Sequence, residues 1–318
     1  MFFKMEIIRN LSEYNFSFNT VVTIGNFDGI HLGHQKIINT VKDISVETHY
    51  KSIVVTFNPH PLKYFKSDIK LINTERKKIE LISKNNIDYM IILEFNDSMA
   101  SMPAEIFVKE ILLKKLKAKY IILGYNCRFG KKRLGNYELL SLLSKNYGFQ
   151  CIKIDRVVID NLTASSTNIR KLLQEGQIQV VNTLLGRFYE LEGIVSKGNN
   201  LGKLIGFPTA NIDTHNEMLP KLGVYTSLIK IGDNKQYPSV TCIGTRPTIS
   251  TSNRVTVETH IMNFDEDIYD TFVELALISY IREEEKFPDL ESLKKKMEMD
   301  KKTAMKILKD YDYTAKNF

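Results

Sequence analysis

Apolar and polar positions change rhythm once along the chain, near residue 185, which divides it into two differently built halves. In the first half, short runs rich in β-branched residues at 21–24, 52–57, 89–93, 120–123 and 151–154 predict strands. Between them, 36–43, 75–84 and 104–113 carry apolar residues at helical spacing. Strands alternating with helices predict crossover connections and a parallel α/β sheet. The segment 168–185 keeps a helical period up to Gly186, and the junction is expected there. Beyond it, strand-like runs at 189–196, 226–231, 239–243, 254–261 and 271–281 are separated by polar or glycine-rich turns and read as a small antiparallel barrel or sandwich. A Lys/Glu/Met/Leu-rich stretch at 290–311 predicts one or two terminal helices. The expected domains are 1–185 and 186–318, each within the usual range of about 100–200 residues.

Composition narrows the class. Hydrophobic residues make up 43% and charged residues 25%, close to globular averages, which argues against long disorder or a fibrous repeat. No apolar run approaches the ~20 residues that cross a bilayer, and the first residues lack a basic region followed by an apolar stretch. A cytoplasmic protein with no membrane partner is expected. Cys127, Cys151 and Cys242 are widely spaced and odd in number, without a C-x-x-C pair. That pattern argues against a disulfide framework and a zinc site. A net charge of +7 suits a nucleic-acid binder and equally an enzyme acting on phosphorylated substrates. No recognition motif for nucleic acid is readable, and the lysines fall within amphipathic helical patterns such as 290–302, where they read as a solvated face. No nucleic-acid partner is expected, and the chain is expected to be a monomer or a weak homo-oligomer.

One string leaves a predicted strand, passes two glycines and enters a helix: Gly25-Asn26-Phe27-Asp28-Gly29-Ile30-His31-Leu32-Gly33-His34. Helix N-termini at such a place offer free N–H groups and partial positive charge to an anion. Gly25 and Gly29 let the backbone approach a phosphate closely, Gly33 removes a side chain that would crowd it, and His31 and His34, three apart, can both donate to one phosphate. Either histidine alone would as readily be structural. The string resembles the H-x-G-H signature of nucleotidylyltransferases, and in its full length that of bacterial FAD synthetases. The resemblance continues through Thr56-Phe57-Asn58-Pro59-His60-Pro61, Gly124-Tyr125-Asn126-Cys127-Arg128-Phe129-Gly130 and Ser165-Ser166-Thr167-Asn168-Ile169-Arg170. It implies a Rossmann-like domain in which Gly25, Asn26, Phe27, Asp28, Gly33, Ser165, Thr167 and Arg170 bind nucleotide. By the same resemblance Asn58, Pro59, His60, Asn126 and Arg128 hold the flavin. Hydroxyls and a guanidinium at a helix start also suit a leaving pyrophosphate, although a plain helix cap would use the same residue types. Asn126 stands where the family usually has aspartate, which keeps hydrogen bonding and removes a charge.

The chain has no G-x-x-x-x-G-K-[ST] string, so a kinase here must cradle phosphate by another design. Gly202-Lys203-Leu204-Ile205-Gly206-Phe207-Pro208-Thr209-Ala210-Asn211 supplies small residues for backbone contact and two neutral oxygens suited to a magnesium ion that keeps several waters. It resembles the G-x-P-T-A-N motif of riboflavin kinases. Further matches are Pro220-Lys221-Leu222-Gly223-Val224-Tyr225, Gly244-Thr245-Arg246-Pro247-Thr248 and Val257-Glu258-Thr259-His260-Ile261. The resemblance implies a β-barrel kinase domain with Glu258 as general base and Mg2+ on Thr209 and Asn211. Gly202, Gly206, Gly223 and Tyr225 would lie along ATP, and Arg282 on the flavin side. Lys203 replaces the family's arginine and loses its planar fork; Cys242 replaces an asparagine. The whole chain thus resembles bifunctional bacterial enzymes that use ATP to turn riboflavin into FMN and FMN into FAD. A monofunctional adenylyltransferase with a weak kinase-like domain is the alternative, and intact Thr209, Asn211 and Glu258 argue against it.

Overall fold

The computed structural model describes residues 5–65, 68–198, 202, 206–232, 235–246 and 254–309. Two compact units emerge, Met1–Ser166 and Thr167–Phe318.

The first unit is built on six parallel strands: β1 (Glu6–Ile8), β2 (Thr20–Ile24), β3 (Lys51–Asn58), β4 (Tyr89–Glu94), β5 (Ala118–Gly124) and β6 (Gln150–Ile154). Their order is β1-β4-β3-β2-β5-β6. All five expected strands are present; β1, three residues paired with β4, carried no pattern of its own. Both faces are covered, so β2 is buried at every position and reads as a continuous apolar run, as strands of parallel sheets do. One face packs Val21, Val54 and Met90 against Ile37, Ile38 and Val41 of α1 (Leu32–Thr48) and against Leu81 and Ile82 further along the chain. The other face packs Val22, Ile53 and Ile91 against Phe107, Val108 and Leu140. The remaining helices are α2 (Pro61–Tyr64), α3 (Glu75–Ser83), α4 (Asp97–Ser101), α5 (Ala104–Ile106), which continues as a π-helical stretch Phe107–Lys115, and α6 (Tyr137–Tyr147). The strand order reverses beside β2, which has β3 on one side and β5 on the other. Ligands of open α/β sheets bind outside the carboxyl ends of strands at such a switch point. A two-stranded ribbon, β7 (Val158–Ile159) and β8 (Leu162–Thr163), precedes the end of this unit.

α7 (Ser166–Glu175), whose first residue closes the first unit, leads into the second with α8 (Ile178–Leu185); Gly176 follows α7 and Gly186 ends α8, both in the left-handed region, as helix ends favour. A closed antiparallel barrel follows, in the order β10-β13-β12-β11-β14-β9. Its strands are β9 (Tyr189–Ser196), β10 (Thr209–Thr214), β11 (Gly223–Ile231), β12 (Lys235–Arg246), β13 (Arg254–Ile261) and β14 (Phe272–Arg282). A barrel rather than a sandwich is therefore the outcome of the second half. β10 lay unseen inside the G-x-P-T-A-N string, because only Ile212 of its six residues is buried. One terminal helix, α9 (Leu290–Leu308), is capped by the Asp289 side chain, which accepts from Ser292 N at 2.7 Å. Its Asp300, Ala304 and Leu308 form a buried stripe at helical spacing, and it packs on β11, β12 and β14.

Candidate functional site

In the first unit, β2 hands the chain to a loop stapled from several sides. Gly25 N donates to Val55 O at 3.0 Å, and Thr56 Oγ1 donates to Asn26 O at 3.2 Å. The Asp28 carboxylate is buried and accepts from the amides of Ile72 and Asn73 at 3.0 and 3.3 Å. The Asp28 carbonyl accepts from Ser166 Oγ at 2.7 Å. Phe27, with φ of 49°, turns its ring into the core, where it lies 1% exposed. The side chains of Phe27 and Asp28, expected at the nucleotide, thus point into the protein and fix the loop.

His31 is the N-cap of α1 rather than part of its first turn: Nδ1 accepts from His34 N at 3.3 Å. Because Nδ1 accepts, the neutral ring carries its proton on Nε2. The His34 ring stacks on that of His31 at 3.7 Å between centroids and meets Phe27 edge-on at 5.3 Å. A Cβ on Gly33 would stand 3.1 Å from the His31 ring and 3.3 Å from the Ala164 carbonyl. Gly33 therefore makes room for the imidazole itself. Ala164 and Ser166 thereby bracket Ser165 next to this loop.

Asn58 ends β3, donates to Glu75 Oε2 at 2.6 Å and is joined to Pro59 by a cis peptide bond. His60 is buried and caps α2, its Nδ1 accepting from Leu62 N at 3.2 Å. Asn126 and Arg128 are exposed beyond β5, and Arg128 Nη1 stands 3.9 Å from Glu138. Between them the Cys127 thiol approaches Ile24 O at 3.6 Å, and burial pushes it up to about 12. Thr167 and Arg170 lie in the first turns of α7, in the second unit.

In that unit, antiparallel register sets the other constellation. Thr209 pairs with His260 and Asn211 with Glu258, while Cys242 pairs with Glu258 from the other side. Side chains two apart share a face, so Thr209, Asn211, Glu258 and His260 stand together, and directly opposed Cβ atoms lie ~4.5–5.5 Å apart. A Cβ on Gly198 would collide with the Asn211 amide. One on Gly202 would collide with the Phe207 carbonyl and reach 3.3 Å from Thr209 Oγ1. The glycines thus let the chain pack closely against Asn211 and the start of β10, beside two neutral oxygens. Among the described residues no three His, Cys, Asp or Glu side chains gather to hold a metal ion. A hydroxyl and an amide oxygen fit magnesium, which retains waters and takes phosphate oxygens as its remaining ligands. Next to Gly206 and Phe207 a cavity of about 590 Å³ opens against α9, lined there by Lys294, Lys301, Lys302, Lys306 and Lys309 and by one acid, Glu298. From the sequence these lysines read only as a solvated helix face. Their collective charge against a glycine turn suits an anionic ligand.

Two expected site residues are engaged elsewhere. Tyr225, expected along the nucleotide, is instead a core residue, fully buried, its hydroxyl donating to Lys221 O and its ring edge-on to Tyr280 at 5.2 Å. Burial raises its pKa. Arg282, expected on the flavin side, turns its fork onto Asp300 of α9, with Nε 3.0 Å from Oδ1 and Nη2 2.8 Å from Oδ2. It also donates to Glu283 O at 2.9 Å. Gly223 has φ of +149°, and a Cβ there would meet the Arg282 carbonyl and the Tyr280 ring, so only glycine fits. Burial pushes the Cys242 thiol up to about 12, so it stays protonated beside Glu258. Lys203, Pro247 and Thr248 lie outside the described residues. Because Asp300 is buried, removing it strands a guanidinium: Asp300→Ala should cost about 3–5 kcal/mol, read by denaturant unfolding of parent and variant.

The comparisons with known proteins follow the same division. A family model described as FAD synthetase matches residues 15–168, and one described as riboflavin kinase matches 185–308. Curated relatives named bifunctional riboflavin kinase/FMN adenylyltransferase match nearly end to end. That of Buchnera aphidicola from Acyrthosiphon pisum is 38% identical over 93% of this chain and 96% of its own length. That of Haemophilus influenzae is 35% identical over 94% and 98%, and that of Escherichia coli K12 is 32% identical over 89% and 91%. A solved structure described as a macrolide-efflux protein from Streptococcus pneumoniae superposes with a TM-score of 0.86 at 26% identity, covering 95% of this chain and 98% of that one. Among the described residues here, no helix is long and apolar enough to cross a membrane.

Proposed function

The chain belongs to the family of bifunctional riboflavin kinase/FMN adenylyltransferases, and from that membership we propose how its residues divide the work. It phosphorylates riboflavin to FMN and joins FMN to the adenylyl group of ATP, giving FAD and pyrophosphate. The presence of both catalytic families in one chain sets aside the monofunctional alternative.

In the kinase half, the observation that carries the reading is the register that sets Asn211 opposite Glu258 with Thr209 on the same face. Glu258 takes the proton from the riboflavin 5′-hydroxyl, and Thr209 and Asn211 supply oxygens to magnesium. When bound, that ion neutralises charge on the transferring phosphoryl group. Gly202 and Gly206 let backbone N–H groups approach the phosphates, and the α9 lysines add positive potential. Arg282, expected on the flavin side, also holds α9 through Asp300.

In the adenylyltransferase half, the His31 cap carries the reading, since it anchors the imidazole through Nδ1 at the N-terminus of a seventeen-residue helix. His31 and His34 hydrogen-bond the ATP phosphates, and Ser165, Thr167 and Arg170 receive the leaving pyrophosphate. Phe27 and Asp28 shape the loop, while Gly25, Asn26 and Gly33 offer backbone and space. Asn58, Pro59, His60, Asn126 and Arg128 frame the flavin. We place the two catalytic segments at 1–185 and 186–318, acting in the cytoplasm as a monomer or weak homo-oligomer.

Incubating the purified chain with riboflavin, ATP and magnesium, then separating the flavins, should yield FMN followed by FAD. Thr209→Val should slow FMN formation most at limiting magnesium, because a methyl cannot coordinate the ion, and should spare FAD formation from supplied FMN. FMN formation at the parent rate at limiting magnesium would count against Thr209 as a ligand, whereas equal loss of both activities would point to misfolding.

A further inference from the structure

His260 has no part in the chemistry described so far, yet its surroundings are unusual for a histidine in a barrel wall. It lies 8% exposed on β13, two residues beyond Glu258 and on the same face. Its backbone pairs with Thr209. Its Nδ1 is 2.9 Å from the Pro208 carbonyl. A carbonyl can only accept, so Nδ1 carries a proton. The ring packs on Phe207 at 5.0 Å between centroids. His260 thus grips both residues that lead into Thr209, one by its side chain and one by its carbonyl.

Those grips act where β10 begins and the ladder has no earlier residue to hold the chain. Pro208 has a fixed φ, so the torsion left to set the direction of Thr209 is the one that also orients the Pro208 carbonyl. A hydrogen bond to that carbonyl therefore restrains the Thr209 hydroxyl. An apolar residue of similar size could fill the space against Phe207 but could not hold the carbonyl. Nε2 of His260 is buried without a hydrogen-bond partner among the described residues. An orphaned buried nitrogen is costly, so packing alone does not account for histidine at this position.

We propose that His260 is a positioning residue of the kinase: through the Pro208 carbonyl and the Phe207 ring it sets the Thr209 hydroxyl where magnesium–nucleotide binds. The proposal rests on the reading of Thr209 as a magnesium ligand and adds to it the residue that aims that ligand.

The test measures ADP binding by calorimetry, with and without magnesium, for the parent, His260→Leu, His260→Asn, His260→Gln and Thr209→Val, with thermal melting of each. Asparagine carries a donor near the Nδ1 position; glutamine carries it farther out. His260→Leu and His260→Gln should weaken magnesium–ADP binding about 10-fold, the effect of one lost hydrogen bond at the upper end of its range. They should leave magnesium-free ADP binding and FAD formation from FMN unchanged. His260→Asn should return to within about 3-fold of the parent. Unchanged magnesium–ADP binding in His260→Leu overturns the proposal when Thr209→Val is impaired; if Thr209→Val is also unimpaired, the magnesium reading itself has failed. Equal losses in all three His260 variants, with and without magnesium, would make the histidine a packing residue and overturn the proposal. Should His260→Leu fail to fold, the asparagine–glutamine difference decides, and no difference overturns it.

Discussion

Replacing Glu258 with glutamine should stop FMN formation from riboflavin while FAD formation from supplied FMN continues at close to the parent rate. Glutamine keeps the shape of the side chain and the backbone pairing of residue 258 with Asn211 and Cys242, so the barrel is left intact and only the proton acceptor is lost. Loss of a general base typically costs ~100–10,000-fold. Phosphoryl transfer through a loose transition state draws less on the base than acyl transfer does, which directs the expectation toward the lower part of that range. The sparing of FAD formation follows from where the residue sits, inside a barrel strand of the second unit, with the H-x-G-H loop in the first. Parent and variant are compared by separating riboflavin, FMN and FAD over time, with melting as the check on folding. FMN made at the parent rate would remove Glu258 from the mechanism and leave the magnesium ligands untouched.

The same residues show where sequence reasoning stops. Strands whose both faces are buried announced themselves, because a run such as Val21-Val22-Thr23-Ile24 has no polar face to interrupt it. The site strings were legible as well, being short and local. What stayed hidden depended on partners far along the chain or on a register that local pattern does not encode. Asp28 looks like a ligand-facing acid until the amides of Ile72 and Asn73, 44 and 45 residues away, are seen to occupy it. The Arg282 string gives no sign that Asp300, 18 residues on, takes the guanidinium fork. Tyr225 sits in a motif string yet faces inward, since in a closed barrel alternate residues fill the interior. β10 was hidden for the opposite reason: with only Ile212 buried among its six residues, it has too few buried positions to show a period. In His31 the residue was legible and the geometry was not, because a helix cap is fixed by backbone angles that the letters H-x-G-H only permit.

That cap makes His34→Ala the more informative variant of the first unit. His34 supplies two things: an imidazole stacked on that of His31, and a backbone N–H that His31 Nδ1 accepts. Alanine removes the first and keeps the second, so His31 retains its tautomer and cap while the phosphate site loses one ring. Alanine also favours helix, and α1 has sixteen further residues and a buried face of Ile37, Ile38 and Val41 to hold it. The FMN phosphate is already anionic at neutral pH and needs no base, so this half-reaction relies on positioning and on donors aimed at charge that develops as pyrophosphate leaves. Removing one preorganised donor of that kind costs about 2.7–4 kcal/mol, or ~100–1,000-fold in turnover. Riboflavin supplied with ATP and magnesium should therefore be converted to FMN at the parent rate, and FMN should accumulate where the parent carries it on to FAD. The time courses of both products, with thermal melting to exclude a folding defect, test this directly. FAD appearing at the parent rate would free His34 from the reaction, and would leave the stacking on His31 as its only effect.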